Sequence, residues 1–334
     1  MNIATRLLLL DDEDSVFKFT IDTRNIVAGA TNGSENPLTF KLPISGTASL
    51  NFTLRVSDGR PDVTVSGVAG ITNYGIITFA NPGIYQISLI GYVPNFSFYF
   101  AALNWDSLKM ISIDNWGNVA FVRAFIYCPN LIVNAKNTLV LPADSQSLFS
   151  GIKEYRSDLS LLDTTKCTNA SGILQGVQTP LTSTLNPFWK SLIVFGSIYS
   201  ITSFNPSVTK IEVISDTITS LNSPLNNTSF TGEFIFQTPN LNTLFRVIYG
   251  TGLKPHLGKV DVRNVTTTTE WIQYAMTQAN TDATILGWAN LPFMKSGVTW
   301  DWKNSKYSNN PSVIAALNKI TVQWGAIFTN LTMA

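Results

Sequence analysis

The chain has 334 residues, with 22 basic and 21 acidic side chains and a formal net charge of +1. A balance this even offers no basic stripe to a nucleic-acid backbone or an anionic membrane surface, so neither is expected as a partner. Charged residues make up 13% of the chain, where about 25% is usual; Asn, Thr and Ser supply the missing polarity, a texture that suits extracellular and virion β-proteins.

The length suits about two domains. Near the start, Leu7, Leu8, Leu9 and Leu10 precede the acidic run Asp11–Asp14. Four leucines fall short of the roughly 7–15-residue apolar core of a secretion signal, and no small-residue cleavage site follows. The expectation is a protein made in the host cytoplasm without a signal peptide. No other stretch approaches the ~20 apolar residues of a membrane span, so no membrane insertion is expected. The acidic run lacks the alternating ligands and central Gly of a calcium loop and reads as solvated linker. An apolar tetrad with no place in either core marks residues 1–14 as an attachment arm, with Leu7 to Leu10 as its partner-docking residues.

Residues 15–95 alternate. Phe17, Phe19 and Ile21 take every second position, as do Leu50, Phe52, Leu54 and Val56, then Val63 and Val65, then Tyr85, Ile87 and Leu89. This period marks half-buried strands, and Asn32-Gly33, Asp58-Gly59 and Pro82-Gly83 supply turns. Short strands so spaced predict a small antiparallel β-sandwich.

The texture changes over residues 96–287. Apolar triplets recur at Met110–Ile113, Leu139–Leu141, Leu159–Leu162, Leu192–Phe195, Ile211–Ile214, Phe234–Phe236, Val260–Val262 and Ile285–Trp288. Their mean spacing of about 25 lies in the roughly 20–29-residue range of leucine-rich repeats. Each triplet is expected to form one short strand of a parallel solenoid, because no single repeat can bury its apolar face and stacking builds one core. Residues 288–334 read as a C-terminal cap. Asn310-Pro311 starts a helix whose Val313, Ile314, Leu317 and Ile320 share a face, and Trp324–Phe328 adds a final strand. The fold class expected is therefore mainly β.

Four stretches carry a resemblance. Leu162-Asp-Thr-Thr-Lys-Cys-Thr-Asn-Ala-Ser-Gly-Ile-Leu-Gln-Gly176 follows an LD-S/T-N-V-T-N-M-x-x-M-F-x-G pattern, and Val260-Asp-Val-Arg-Asn-Val-Thr266 repeats its opening. Ile111–Gly117 with Ala124–Leu131, and Gly287–Thr299 with Ser305–Ser308, match a first turn and a final cap. These stretches resemble the BspA-type leucine-rich-repeat surface proteins of bacteria and of many of their phages. The first domain is similar to the PKD-like module that precedes such repeats, with its turn at Asp58-Gly59. Residues 179–249 keep the triplets and lose the Asn and Met-Phe positions. The resemblance implies fold more than activity.

Reactive chemistry is sparse. The single histidine, His256, has no partner motif and reads as a turn residue. No Cys/His spacing suits zinc, and no glycine loop suits phosphate. No catalytic residue, metal or cofactor is expected. Asp114, Asp163, Glu212 and Asp261 sit in or after triplets, where they could be paired acids for glycoside hydrolysis or turn caps; the differing phases favour caps. Cys128 and Cys167 could pair or stay free and buried, and a single pair favours the latter. Trp300 and Trp302 flank Asp301 and, in a strand, project to one side. They would either cover the end of the solenoid core or, with Tyr307, present flat ring faces to a ligand. Trp105 and Trp116 are expected at the junction between sandwich and first repeat.

Two function classes follow, with a third behind them. The first is a bacteriophage virion protein, a tail-fibre, receptor-binding or decoration subunit located on the particle surface. Its partners would be other virion proteins, further copies of itself as a homo-oligomer, and a host-surface glycan or protein receptor. The second is a bacterial cell-surface adhesin, which would require an export signal. The third is a polysaccharide-degrading enzyme.

Overall fold

The computed structural model describes residues 15–26, 36–44, 49–68, 75–99, 104–121, 123–178, 191–192, 194–196, 210–224, 233–248 and 256–334. The expected arm, with Leu7, Leu8, Leu9 and Leu10, and the Asn32-Gly33 turn lie outside them. The fold of the described residues is mainly β.

Six strands form the first part: β1 (Val16–Asp22), β2 (Thr39–Lys41), β3 (Ser49–Val56), β4 (Val63–Val68), β5 (Ile76–Thr78) and β6 (Ile84–Phe96). The alternation read from the sequence becomes sidedness. Phe17, Phe19 and Ile21 are fully buried and pair antiparallel with Leu89, Ile87 and Tyr85. Each fully buried side chain of this size contributes roughly 1.5–3 kcal/mol. The order runs β4-β3-β6-β1, and β4 is the edge, where Val63 stays 48% exposed. The antiparallel pair β2–β5 packs on this sheet through Phe40, whose ring lies 6.0 Å from that of Phe19.

The sheet does not stop at residue 95. β7 (Met110–Asn115) pairs antiparallel with β1. β8 (Val119–Phe121) pairs parallel with β6. β9 (Ile132–Val133), then β10 (Leu139–Val140), β11 (Glu154–Tyr155) and β12 (Leu162–Asp163) follow in the chain. β9 and β11 extend the sheet in parallel beyond β7, and β10 pairs parallel with β12. Trp116 is buried beside these strands, with ring contacts to Phe121, Phe125 and Phe149 at 5.8, 6.2 and 5.7 Å, and Phe121 in turn meets Phe17 and Phe96 at 5.4 and 6.1 Å. The side chain of Trp105 lies outside the described residues.

Further on lie β13 (Val194–Gly196), β14 (Lys210–Ile214), β15 (Ser220–Asn222), β16 (Glu233–Gln237), β17 (Thr243–Phe245) and β18 (Thr267–Thr269). All their pairings are parallel: β13-β15-β17-β18 in one ladder and β14–β16 in another. Partners lie one period apart, Val194 on Ser220, Ser220 on Thr243 and Thr243 on Thr267, offsets of 26, 23 and 24 residues. Polar side chains tie the periods together. Asn130, Asn240 and Asn264 donate to the carbonyls of Leu108, Asp216 and Pro239, and Ser191 and Thr217 to those of Thr165 and Leu192. Each bond satisfies a carbonyl of the preceding pass.

Most expected triplets fall in strands, although Leu159–Leu161 is a 3₁₀ turn capped by Asp158 and Val260 makes only a parallel bridge to Phe236. The expected strand at Ile285–Trp288 is instead part of helix α1 (Gln278–Ala289). Thr277 caps it through the Asn280 amide. Its buried face is Thr281, Thr284, Ile285, Trp288 and Ala289, a helical spacing with two hydroxyls in it. Both threonine hydroxyls bond carbonyls one turn back, so they bury without an apolar stripe. β19 (Thr299–Tyr307), α2 (Pro311–Asn318) and β20 (Ile327–Met333) complete the chain, with β19 and β20 parallel. Asn310 caps α2 as expected, accepting from Ser312 N–H. Val313 and Ile320 are buried, while Ile314 turns outward at 37% exposure.

Candidate functional site

Of the expected ligand residues, Trp300 and Trp302 point inward. They share one side of β19, as their spacing requires, but that side is the core: their exposures are 1% and 0%. The Trp271 ring meets both at right angles, 5.4 and 5.1 Å away, and Trp288 from α1 lies 4.7 Å from Trp300. The platform reading of these two indoles is corrected to cap packing, because α1 occupies the face they would have offered. Tyr307 is half-buried and packs against the hydrophobic core. The outward residue between the indoles is Asp301, which accepts from Lys303 N–H and Asn330 Nδ2. The Lys303 ammonium first, then the Asn330 amide and the Lys303 N–H, hold its carboxyl down at about 2.

The four acids are engaged locally. Asp114 receives Thr20 and Ser112 hydroxyls, both at 3.0 Å. Asp163 caps Thr165 N–H. Asp261 binds the backbone and guanidinium of Arg263, and Glu212 pairs with Lys210 at 2.8 Å. They sit in separate contacts rather than on a shared cleft. His256 is half-buried, and its buried Nδ1 makes no hydrogen bond among the described residues. Cys128 and Cys167 are free, buried thiols, and burial pushes both above the ordinary thiol range.

A groove that the sequence did not disclose lies across consecutive passes of the chain. Three tight turns build it. Each buries a pair, Ala124-Phe125, Leu148-Phe149 and Ile173-Leu174, and the rings of Phe125 and Phe149 stack 5.8 Å apart with an interplanar angle of 0°. Backbone bonds zip the turns together: Phe125 N–H to Leu148 O, Phe149 N–H to Ile173 O and Gly151 N–H to Gln175 O. A pair of left-handed residues recurs four apart in each turn. They are Arg123 and Tyr127 (φ 46° and 69°), Ser147 and Gly151 (55° and 74°), and Gly172 and Gly176 (67° and 68°).

Beside these turns lies a cavity of about 680 Å³. Leu108, Ile126 and Pro129 give it apolar walls, and Ser147, Ser150 and Gln175 line it with neutral hydrogen-bonding groups. Tyr127 stands on its rim, 54% exposed. No protein-family model matches the chain, and no curated protein or solved structure matches it significantly.

Proposed function

We propose that the protein is a non-enzymatic structural and attachment subunit of a bacteriophage virion, of the tail-fibre, receptor-binding or decoration kind. In this reading the parallel ladders are consecutive turns of a leucine-rich-repeat-like solenoid behind a PKD-like sandwich. The observation that carries it is the run of parallel strands from β7 to β18, whose partners are offset by 20 to 26 residues. Such stacking makes a rigid surface whose turns can vary without disturbing the core. The local pairing of charges supports it further, since a surface neutralised in place suits a subunit crowded against its own kind.

The direct test is compositional. Purified particles of the phage that encodes the chain should contain it, with immunogold label at a fixed structural position. Deleting residues 1–10 should leave the melting temperature unchanged and remove the protein from the particle. Particles lacking the intact protein would refute the virion reading, and normal incorporation of the truncated one would refute the arm.

A further inference from the structure

We propose that the groove at Tyr127 binds a neutral oligosaccharide, with the tyrosine ring as stacking platform and Ser147, Ser150 and Gln175 as hydrogen-bonding partners. The inference gives the attachment reading above a ligand class, and in that sense rests on it.

The argument begins with backbone cost. A side chain with a Cβ pays for a left-handed backbone, and a bulky residue there is an outlier. The next two turns place Gly151 and Gly176 at this position, so the fold itself does not ask for tyrosine. The ring is not retained for packing either, because it is more than half exposed. A strained residue with its side chain in solvent, on the rim of a cavity, is how a contact residue presents itself.

The lining selects the ligand. The volume lies within the roughly 300–1,000 Å³ of ordinary ligand sites. Among the described residues, no charged side chain lines the cavity. The nearby Arg123 guanidinium lies over the Tyr99 ring at 4.7 Å and donates to Gln146 at 2.5 Å, so it is committed elsewhere. An anionic ligand would lack a counter-charge. A sugar ring presents an apolar C–H face and a rim of hydroxyls. Those match a rigid aromatic plane beside seryl and amide groups, and the plane loses little conformational entropy on binding. The serine and glutamine partners come from successive turns, so the site runs along the stacking direction and suits a chain of sugars rather than one.

The experiment titrates the full-length protein with maltohexaose, cellohexaose and chitohexaose, with sialyllactose as anionic control, by calorimetry and saturation-transfer NMR. At least one neutral hexasaccharide should bind, and Tyr127→Phe should keep that binding. Tyr127→Gly should weaken it by about tenfold or more with a melting temperature unchanged or raised, since glycine relieves the strained φ. Binding of none of the three, preference for sialyllactose, or full affinity in Tyr127→Gly would overturn the proposal. So would a lowered melting temperature in Tyr127→Gly, which would make the ring a packing element, or displacement of the sugar by an apolar peptide at lower concentration. Binding by a protein missing from particles would sink the virion reading alone, and particle incorporation without binding would sink the groove alone.

Discussion

Among the described residues, six ion pairs join side chains two apart: Asp22 with Arg24, Asp58 with Arg60, Glu154 with Arg156, Lys210 with Glu212, Asp261 with Arg263, and Asp301 with Lys303. Asp22, Asp58, Asp261 and Asp301 also accept the partner's backbone N–H, so one carboxylate closes a turn and cancels a charge. The near-neutral composition is thus also neutral locally. Exposed pairs of this kind contribute little each. Asp301 offers a measurable case. Its folded-state value near 2 lies below the ~3.9 of an unfolded chain. The stabilisation is therefore present above about pH 4 and is lost as pH falls toward 2. Asp301→Asn should lower stability at pH 7 by less than about 1 kcal/mol after solvent screening, and the gap to wild type should close by pH 2. Melting curves across that range check it, and a gap undiminished at pH 2 would assign the effect to something other than the charge.

At the scale of elements, α1 is the piece that turns the cap into a core. It meets the chain at Gly258, where a Cβ on Gly287 would fall 2.2 Å from the Gly258 carbonyl oxygen and 2.4 Å from its Cα. The neighbouring Leu257 donates to Thr284 Oγ1 and accepts from Trp288 Nε1, which fixes the approach from both sides. Lys319 then bonds the Ala289 carbonyl at the helix end, the favourable end for a cation. Alanine is the better helix former by about 1 kcal/mol, yet Gly287→Ala should destabilise by roughly 1–3 kcal/mol through overpacking. Chemical denaturation measures the sign. A more stable variant would mean that the contact yields, and that propensity outweighs packing here.

For the whole molecule, the important feature is the continuous sheet from β4 through β1 to β11. It joins the antiparallel first part to the parallel passes, and Trp116 with Phe121, Phe125 and Phe149 fills the joint. The two parts should therefore lose order together. Trp116→Ala should cost about 3–5 kcal/mol and lower hydrogen-exchange protection in β1 and β9 alike. Protection lost in β9 with β1 unchanged would show that the joint does not transmit stability. A stiff connection also suits the proposed attachment role, because a groove on the parallel passes would then be held in a defined direction relative to the first strands.

What the sequence determined by itself was local. Alternation identified the faces of β1, β3 and β6, because period two fixes sidedness. Asn310-Pro311 marked the start of α2, because capping is chemistry between near neighbours. The recurring triplets showed a period of about 25 residues, although several periods hold further strands, such as Ser220–Asn222 and Thr267–Thr269, that are too polar to stand out. The Asp-x-Arg pairs were legible in principle and were missed. Only the tertiary structure decided which side of β19 faces the core, since Trp300 and Trp302 share a side under either reading and α1 makes it the inner one. It also decided α1 itself, whose buried threonines satisfy their own hydroxyls and hide the helical stripe. The groove was invisible for the same reason. Tyr127 becomes exceptional only when stacking sets it beside Gly151 and Gly176, a comparison across passes that local periodicity does not make.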